Sequence, residues 1–421
     1  MNSRLLSLTA ALVLALSTCA ATIQTDRTWY LAGEAMKVSV TADDALIAYA
    51  ELCDVQGLAA GVLVGLKGGK GIGIIELPAD LHSGYYVLSV YTRHDTQVSQ
   101  QLIAIVNPLR KSANDDIKWV PTSDPSHLDT HSAEQGIQVT LPSGGNWGGF
   151  NERETEGHII KARVKSVYDG QTFKASQICP SLSIIGKQIH YFEGKMINDS
   201  IAVFYTYGLN GKLPLILSAM STSGMRLPIE MMSPFATLLP KQLPHLVFHY
   251  KRSEVEARSL DMQRYQILKG DTENLAIGDS LDYDETVFGI KPDLSYNLDE
   301  YRQFMTIREV LLEYVDCVKR TKINDVQKLL VRKGQDPYNS SLPTLVLIDG
   351  MPVSDIERLL NYDARRIHYI NIYGDQYTFG NGVYNGILSF ITRSGRLTNY
   401  PTEPNMQYLV YNFPDCSGGR R

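Results

Sequence analysis

Cysteine is scarce in this 421-residue chain, with five in all at Cys19, Cys53, Cys179, Cys317 and Cys416. They lie far apart, and none stands in a C-x-x-C pair, so neither a zinc site nor a dense disulfide framework is indicated. Bridges among Cys53, Cys179, Cys317 and Cys416 stay open; Cys53, inside a strand-like run, reads as a small core residue. Beyond the first twenty residues no stretch approaches about eighteen consecutive apolar residues, which excludes a transmembrane helix in the mature chain. A basic surplus is missing too. There are 40 Lys and Arg against 45 Asp and Glu, net −5, and this argues against a nucleic-acid partner. The short basic pairs Arg110-Lys111, Lys319-Arg320 and Arg365-Arg366 read as solvated surface.

Motifs that carry chemistry are lacking as well. The glycine-rich run Gly65 to Gly73 has no Lys-Ser or Lys-Thr at phosphate-loop spacing and leads into a strand, so it reads as a hairpin turn. His127 and His131, and likewise His245 and His249, are four apart. The first pair sits in a Ser/Asp/Pro-rich stretch and the second in a strand, so neither is read as a metal site. Ser143 and Ser223 stand beside glycines but outside Gly-x-Ser-x-Gly. No cofactor, metal or catalytic residue is expected, and the chain is read as a non-enzyme.

What is present begins with an export signal. Arg4 precedes the apolar run Leu5 to Leu16, and small residues follow from Ser17 to Ala21, the layout of a secretory signal. Leu16-Ser17-Thr18-Cys19 resembles a bacterial lipoprotein box, with Thr18 where a smaller residue is usual. Lipidation of Cys19, which would anchor the chain without a span, and ordinary cleavage after Ala20 or Ala21 both stay open. The expected location is the periplasm or the outer membrane.

The rest reads as multi-domain and mainly β: tandem β-sandwich modules followed by a small α/β domain. Tyr is abundant, 24 against 11 Phe and 3 Trp, and suits half-buried strand positions where the ring packs and the hydroxyl stays wet. After the signal peptide of 1–21, a sandwich is expected over 22–108. Met36, Val38 and Val40 fall on one face at period two. Further strands are expected over Ala48 to Cys53, Ile72 to Leu77, Tyr85 to Thr92 and Gln101 to Val106. A linker follows over 109–157, with one strand at Gly136 to Leu141. A second sandwich is expected over 158–250, from Ile159 to Val167, Ser181 to Ile185, Ile201 to Tyr207 and Leu213 to Met220. Asp169-Gly170 and Asn210-Gly211 supply its tight hairpins. Residues 251–300 are expected to be a linker with a helix near Val255 to Leu268.

Over 301–397 the pattern becomes α/β. Ile307, Val310, Leu311, Tyr314 and Val315 form one helical face, opened by a capping box of Thr306 and Glu309. Strands are expected at Thr344 to Ile348, Met351 to Val353, Arg366 to Tyr373 and Gly386 to Thr392, with a short helix around Ser354 to Leu360. Asp349-Gly350 is read as a structural turn, because that pair accepts positive φ. Residues 398–421 are read as a tail.

Two segments carry family resemblances. Tyr30 to Glu34, Ile75 to Pro78 and Leu81 to Thr92 resemble a macroglobulin-type β-sandwich domain. Leu345 to Val353, Ile367 to Gly374 and Gly386 to Thr392 resemble the plug domain of TonB-dependent outer-membrane receptors. Together they resemble a family of Bacteroidetes envelope proteins with a macroglobulin-like front and a plug-like end. A plug precedes a barrel in true receptors, and Arg393 to Arg421 is too short for one. No Cys-Gly-Glu-Gln thioester is present, so covalent protease capture is not expected. Asp199-Ser200-Ile201 and Asp279-Ser280-Leu281 resemble the Asp-Ser-apolar acceptor used for O-glycosylation in that phylum, which implies Ser200 and Ser280 as acceptors.

The function expected from this reading is a non-catalytic envelope scaffold or adaptor. Its partners would be outer-membrane or periplasmic proteins, an outer-membrane receptor or barrel among them, in association with TonB-dependent uptake. The alternative is a non-covalent, macroglobulin-like protease inhibitor with its bait segment around Ser112 to Phe150. A third reading is an enzyme whose site forms only in three dimensions.

Overall fold

The computed structural model describes residues 21–43, 45–93, 98–122, 154–185, 189–276, 289–323, 326–338, 341–379, 382–394, 403 and 405–416, with the side chains of 269–276 and 323 left aside. Chain contacts divide it into two units. Unit 1 is Met1–Arg153 with Thr237–Lys251, and unit 2 is Glu154–Ala236 with Arg252–Arg421. The expected signal peptide with Cys19, the strand at Gly136 to Leu141, the pair His127 and His131, Ser143, most of the Ser112 to Phe150 segment, and Ser280 lie outside the described residues.

Unit 1 is a two-sheet sandwich. One sheet has the order Trp29–Leu31, Ser99–Val106, Gly84–Tyr91, Ile47–Cys53, Leu58–Gly65; the other runs Thr22–Thr25, Ala35–Thr41, Lys70–Glu76. Period two is visible in Ala35–Thr41, where Met36, Val38 and Val40 are buried between exposed or half-buried neighbours. These side chains meet Tyr30, Leu52, Tyr86 and Ile105 in one core. The Gly-rich run is a turn: Lys67 and Lys70 exchange backbone hydrogen bonds of 2.8 and 3.2 Å, with φ of 58° at Gly68 and 76° at Gly69. Positive φ at both central residues is the geometry glycine permits at least cost.

Four strands of unit 1 escaped the sequence pattern: Thr22–Thr25, Trp29–Leu31, Leu58–Gly65 and Ile117–Pro121. Leu58–Gly65 is built largely of Ala, Gly and Val and does not alternate cleanly. The boundary of the second module at Tyr250 also differs. Leu246–Tyr250 pairs in parallel with Ile117–Pro121 and belongs to unit 1. Trp119 supplies the reason, since its ring meets Phe248 at 5.4 Å and Tyr250 at 4.9 Å in edge-to-face contacts, a favoured aromatic geometry.

Unit 2 combines a second sandwich with an α/β sheet. The sandwich stacks a sheet of order Lys195–Met196, Ile201–Tyr205, Ile159–Val164, Ile229–Met231 against one of order His190–Glu193, Ile178–Ile184, Gly211–Ser221, Arg226–Leu227. Asp169 and Gly170 take positive φ between two short paired strands. Asn210-Gly211 is no tight hairpin, because Ile201–Tyr205 and Gly211–Ser221 lie in different sheets. Residues 407–413, read as tail, form a strand along Gly211 to Leu217 and bury Phe413 in the sandwich core. The helix of residues 251–300 spans Arg252–Ala276, longer than expected.

The α/β sheet runs Leu294–Asn297, Ile367–Phe379, Gly382–Thr392, Leu345–Ile348, Met351–Pro352, with Leu345–Ile348 parallel to Gly382–Thr392. The helices Ile307–Glu313 and Ile356–Leu360 cover it through Ile307, Val310, Leu311, Ile356, Leu359 and Leu360. A hairpin of Val318–Ile323 and Val326–Val331, absent from the sequence reading, packs beside them. Among the described residues no helix is long and apolar enough to cross a membrane.

Candidate functional site

The site begins at a well-marked helix start. Thr306 Oγ1 accepts from the Glu309 N–H at 3.4 Å, and the Glu309 carboxylate accepts from the N–H groups of Met305 and Thr306 at 3.0 and 3.1 Å. This reciprocal capping satisfies donors that a helix end otherwise leaves open. With the start pinned, Ile307, Val310 and Leu311 face the core, while Leu312 is left 80% exposed. An isolated exposed leucine is ordinary; this one stands at the mouth of a cavity.

The cavity has a volume of about 430 Å³, within the range of ligand sites. Its apolar floor is Leu311, Val315, Leu329 and Leu360, with Leu312 and Val318 on the walls. Arg308, Lys319 and Arg320 also line it, against the single acid Asp316. Arg308 is engaged by Glu357 and, at 3.3 Å, by Asn361 Oδ1. Among the described residues no acid pairs with Lys319 or Arg320. Tyr338 closes one side. Its hydroxyl donates to the Asp316 carbonyl at 2.8 Å, and its ring holds the Arg332 guanidinium at 5.0 Å and Lys319 Nζ at 5.7 Å, within cation–π range. Burial pushes the Tyr338 phenol above its ordinary pKa, although the Arg332 charge pulls the other way.

Beside the cavity runs a strand edge that no described strand covers. Among the described residues Val318–Ile323 pairs only with Val326–Val331. The Arg332 N–H donates to the Cys317 carbonyl at 3.1 Å, and Cys317 and Arg332 continue the register of Val318 with Val331. Antiparallel ladders alternate bonded and non-bonded pairs, so Lys319 and Thr321 bond into the hairpin, while the N–H and C=O of Arg320 and Lys322 point away from it. Val331 bears this out on the opposite side, where its N–H meets Thr344 Oγ1 at 3.3 Å and its carbonyl meets Asn385 Nδ2 at 3.4 Å. Charge follows the same hairpin: Lys319, Arg320, Lys322, Lys328, Arg332 and Lys333 fall between 318 and 334, against Asp325 alone. Reading Lys319-Arg320 as scattered surface missed this. Cations recurring along one hairpin were the available signal, and an acidic chain total hid it.

The other candidates fall elsewhere. Asp349 (φ 47°) and Gly350 (φ 88°) join Leu345–Ile348 to Met351–Pro352. A Cβ on Gly350 would lie 2.9 Å from the Ile184 carbonyl and 3.0 Å from Ile189 Cγ2. The buried Asp349 carboxylate also accepts from the Thr392 N–H at 2.7 Å and its hydroxyl at 2.5 Å, a role its turn position did not announce. Ser200 is exposed in a turn, its N–H donating to Asn198 Oδ1 at 2.8 Å, while Asp199 accepts from the Ala175 N–H at 2.7 Å. His245 pairs with Asp116 on the surface. Because strands advance about 3.3 Å per residue, His249 is too far along for both to hold one ion. Among the described residues no group of three or more His, Cys, Asp or Glu is placed to hold a metal ion. Ser223 shares a hydrogen bond of 2.8 Å with Ser221 in a turn.

Cys53, Cys179, Cys317 and Cys416 are free thiols. Burial, then Glu51 and Asp54, push Cys53 up to about 12; burial, then Glu154 and Asp415, do the same to Cys416. Both thiols therefore stay protonated and weakly nucleophilic.

Sequence reasoning also missed three buried polar networks of unit 2. Glu403 pairs with Arg226, accepts from the Ser354 hydroxyl, and accepts from the N–H groups of Ser354 and Asp355 at 3.1 and 3.3 Å. Glu154 and Tyr411 each lie 2.8 Å from one ring nitrogen of His158. Tyr384 donates to Glu193 and lies 3.0 Å from the Tyr191 hydroxyl. Burial raises the Glu193 carboxyl above the usual range, more than the Tyr384 hydrogen bond lowers it.

No family model matches the sequence, and no curated protein matches it. Among solved structures, a Salmonella alpha-2-macroglobulin is 10% identical over 51% of this chain and 14% of its own, with a TM-score of 0.19. Escherichia coli alpha-2-macroglobulin activated by porcine elastase is 9% identical over 52% of this chain and 20% of its own, also at 0.19. The IG1 and IG2 domains of DIP-gamma are 9% identical over 55% of this chain and 100% of theirs, at 0.15. This chain thus spans 14% and 20% of the two macroglobulins, and at such scores these likenesses carry no argument about it.

Proposed function

We propose that the chain is a non-catalytic adaptor that binds other proteins of a bacterial cell envelope. The observation that supports this most directly is the groove of unit 2, an apolar floor bordered by a strand edge that no described strand covers and by Lys319 and Arg320, which no described acid pairs with. Such an edge is a template for pairing with another chain, and loops and edges of sandwich modules serve the same end. The envelope setting rests on the export signal, and lipidation at Cys19 would hold the chain at a membrane. Association with TonB-dependent uptake rests on the plug-like resemblance of 345–392 alone.

The test is gentle affinity capture of the tagged chain from an envelope fraction. Recovery with defined partners in constant ratio is the expected result. Recovery only as a free monomer removes the adaptor reading, and mass spectrometry of the mature N-terminus decides the fate of Cys19.

A further inference from the structure

We infer that the groove beside Val318–Ile323 takes an extended segment of a partner protein in which acidic and aliphatic side chains alternate, seated as a third strand on the hairpin. The inference rests on the adaptor reading and names what the adaptor grips. Three independent features converge on this occupant. The outward N–H and C=O of Arg320 and Lys322 have no partner among the described residues, and only another extended backbone satisfies such a row in alternation. The floor of Leu311, Val315, Leu329 and Leu360, with Leu312 at the mouth, accepts branched aliphatic side chains and gains by their burial. Among the described residues no acid answers the charge of Lys319 and Arg320 at the rim, Arg308 being already held by Glu357.

Charge complementarity of this kind chiefly sets specificity and encounter rate. A polyanion such as single-stranded nucleic acid would meet the cations but would leave the apolar floor and the strand edge unused. A strand whose alternate side chains are acidic and aliphatic uses all three. Its aliphatic side chains enter the cavity on the face of Leu329 and Arg320, its carboxylates project on the opposite face beside Lys319 and within the positive field of Arg320, and its backbone bonds to Arg320 and Lys322.

The probe is a blocked, fluorescently labelled hexapeptide of alternating Glu and Val, titrated onto the full-length protein and followed by anisotropy. Expected are saturable binding and a loss of about tenfold or more in Arg320→Glu and in Leu312→Asp. Both residues are exposed, so both variants keep the fold, which circular dichroism verifies. A peptide N-methylated at alternate residues, unable to pair along the edge, is expected to bind at least tenfold more weakly. A Lys-Val peptide is expected not to bind. Equal affinity across the variants overturns the inference. So does an oligonucleotide that competes with the peptide and binds Leu312→Asp as well as it binds the parent protein.

The two readings fail separately. If envelope capture with Arg320→Glu still recovers the same partners, the groove is not their site and the adaptor reading stands. If the parent chain recovers no partner while the hexapeptide binds as expected, the adaptor reading falls and the groove's chemistry stands.

Discussion

Each unit brings a distant stretch of chain back to its sandwich, and each does so by different chemistry. In unit 1 the returning segment is Thr237–Lys251. It is held by aromatic rings around Trp119 and by the buried Glu51 carboxylate, which accepts from the Thr237 and Leu238 N–H groups at 3.0 and 2.6 Å and from the Tyr91 hydroxyl at 3.1 Å. Backbone donors answer the carboxylate directly there, in charge-assisted hydrogen bonds. In unit 2 the returning strand Gln407–Phe413 follows the Glu403–Arg226 ion pair, and His158 reaches it through Tyr411. A buried ion pair gives little net stability, since desolvation offsets the attraction, but it is costly to break from one side. Unit 2 is therefore the more vulnerable to single polar substitutions, and unit 1 to cavities in its apolar core.

That contrast can be broken directly. Glu403→Leu leaves the Arg226 guanidinium buried without its carboxylate and removes acceptors from the start of the Ile356–Leu360 helix. It should destabilise unit 2 by about 3–5 kcal/mol, read as faster hydrogen exchange in Gly211–Ser221. Should exchange there stay at the parent rate, the ion pair is not what holds the returning strand. Leu52→Ala is the matching probe of unit 1. Its side chain is fully buried, and its removal should cost about 2–5 kcal/mol, seen as faster exchange in Gly84–Tyr91. An effect smaller than that of a surface substitution would show that the first core tolerates cavities and would erase the distinction.

Gly350→Val sharpens the comparison at a turn. Positive φ and the close approach of Ile184 and Ile189 should cost unit 2 roughly 1–3 kcal/mol; an unchanged melting curve would refute that account. The smallest effect concerns pH. The folded-state pKa of Glu193 is raised by burial, so its protonated form is favoured in the folded protein. The associated stability is fully present below the unfolded carboxyl pKa and is lost as pH rises through the folded one. Glu193→Gln should therefore melt slightly higher than the parent at neutral pH, with the gap closing in acid. A gap that widens in acid would reverse the assigned sign.

Much of the strand map was legible from local pattern. Met36, Val38 and Val40 at period two marked their strand, the Thr306–Glu309 capping box marked the helix start, and the Asp349-Gly350 dipeptide marked its turn. Where the pattern failed, the reason is physical. Leu58–Gly65 does not alternate cleanly, so little face contrast exists to read. The candidate site was almost illegible, because its parts come from the Ile307–Glu313 helix, the unrecognised hairpin and Leu360. Each part looks ordinary alone.

Local chemistry by itself determined that most of the described chain is extended strand, and where several turns and one helix start must fall. Those features depend on neighbours within a few residues, through φ preferences, capping and side-chain alternation. Only the tertiary structure decided that Leu246–Tyr250 joins the first sandwich, that Gln407–Phe413 completes the second, and that Lys319 and Arg320 stand over an apolar hollow. Strand propensity says that a segment will pair, but its partner and its free edge are set by contacts between residues distant in the chain.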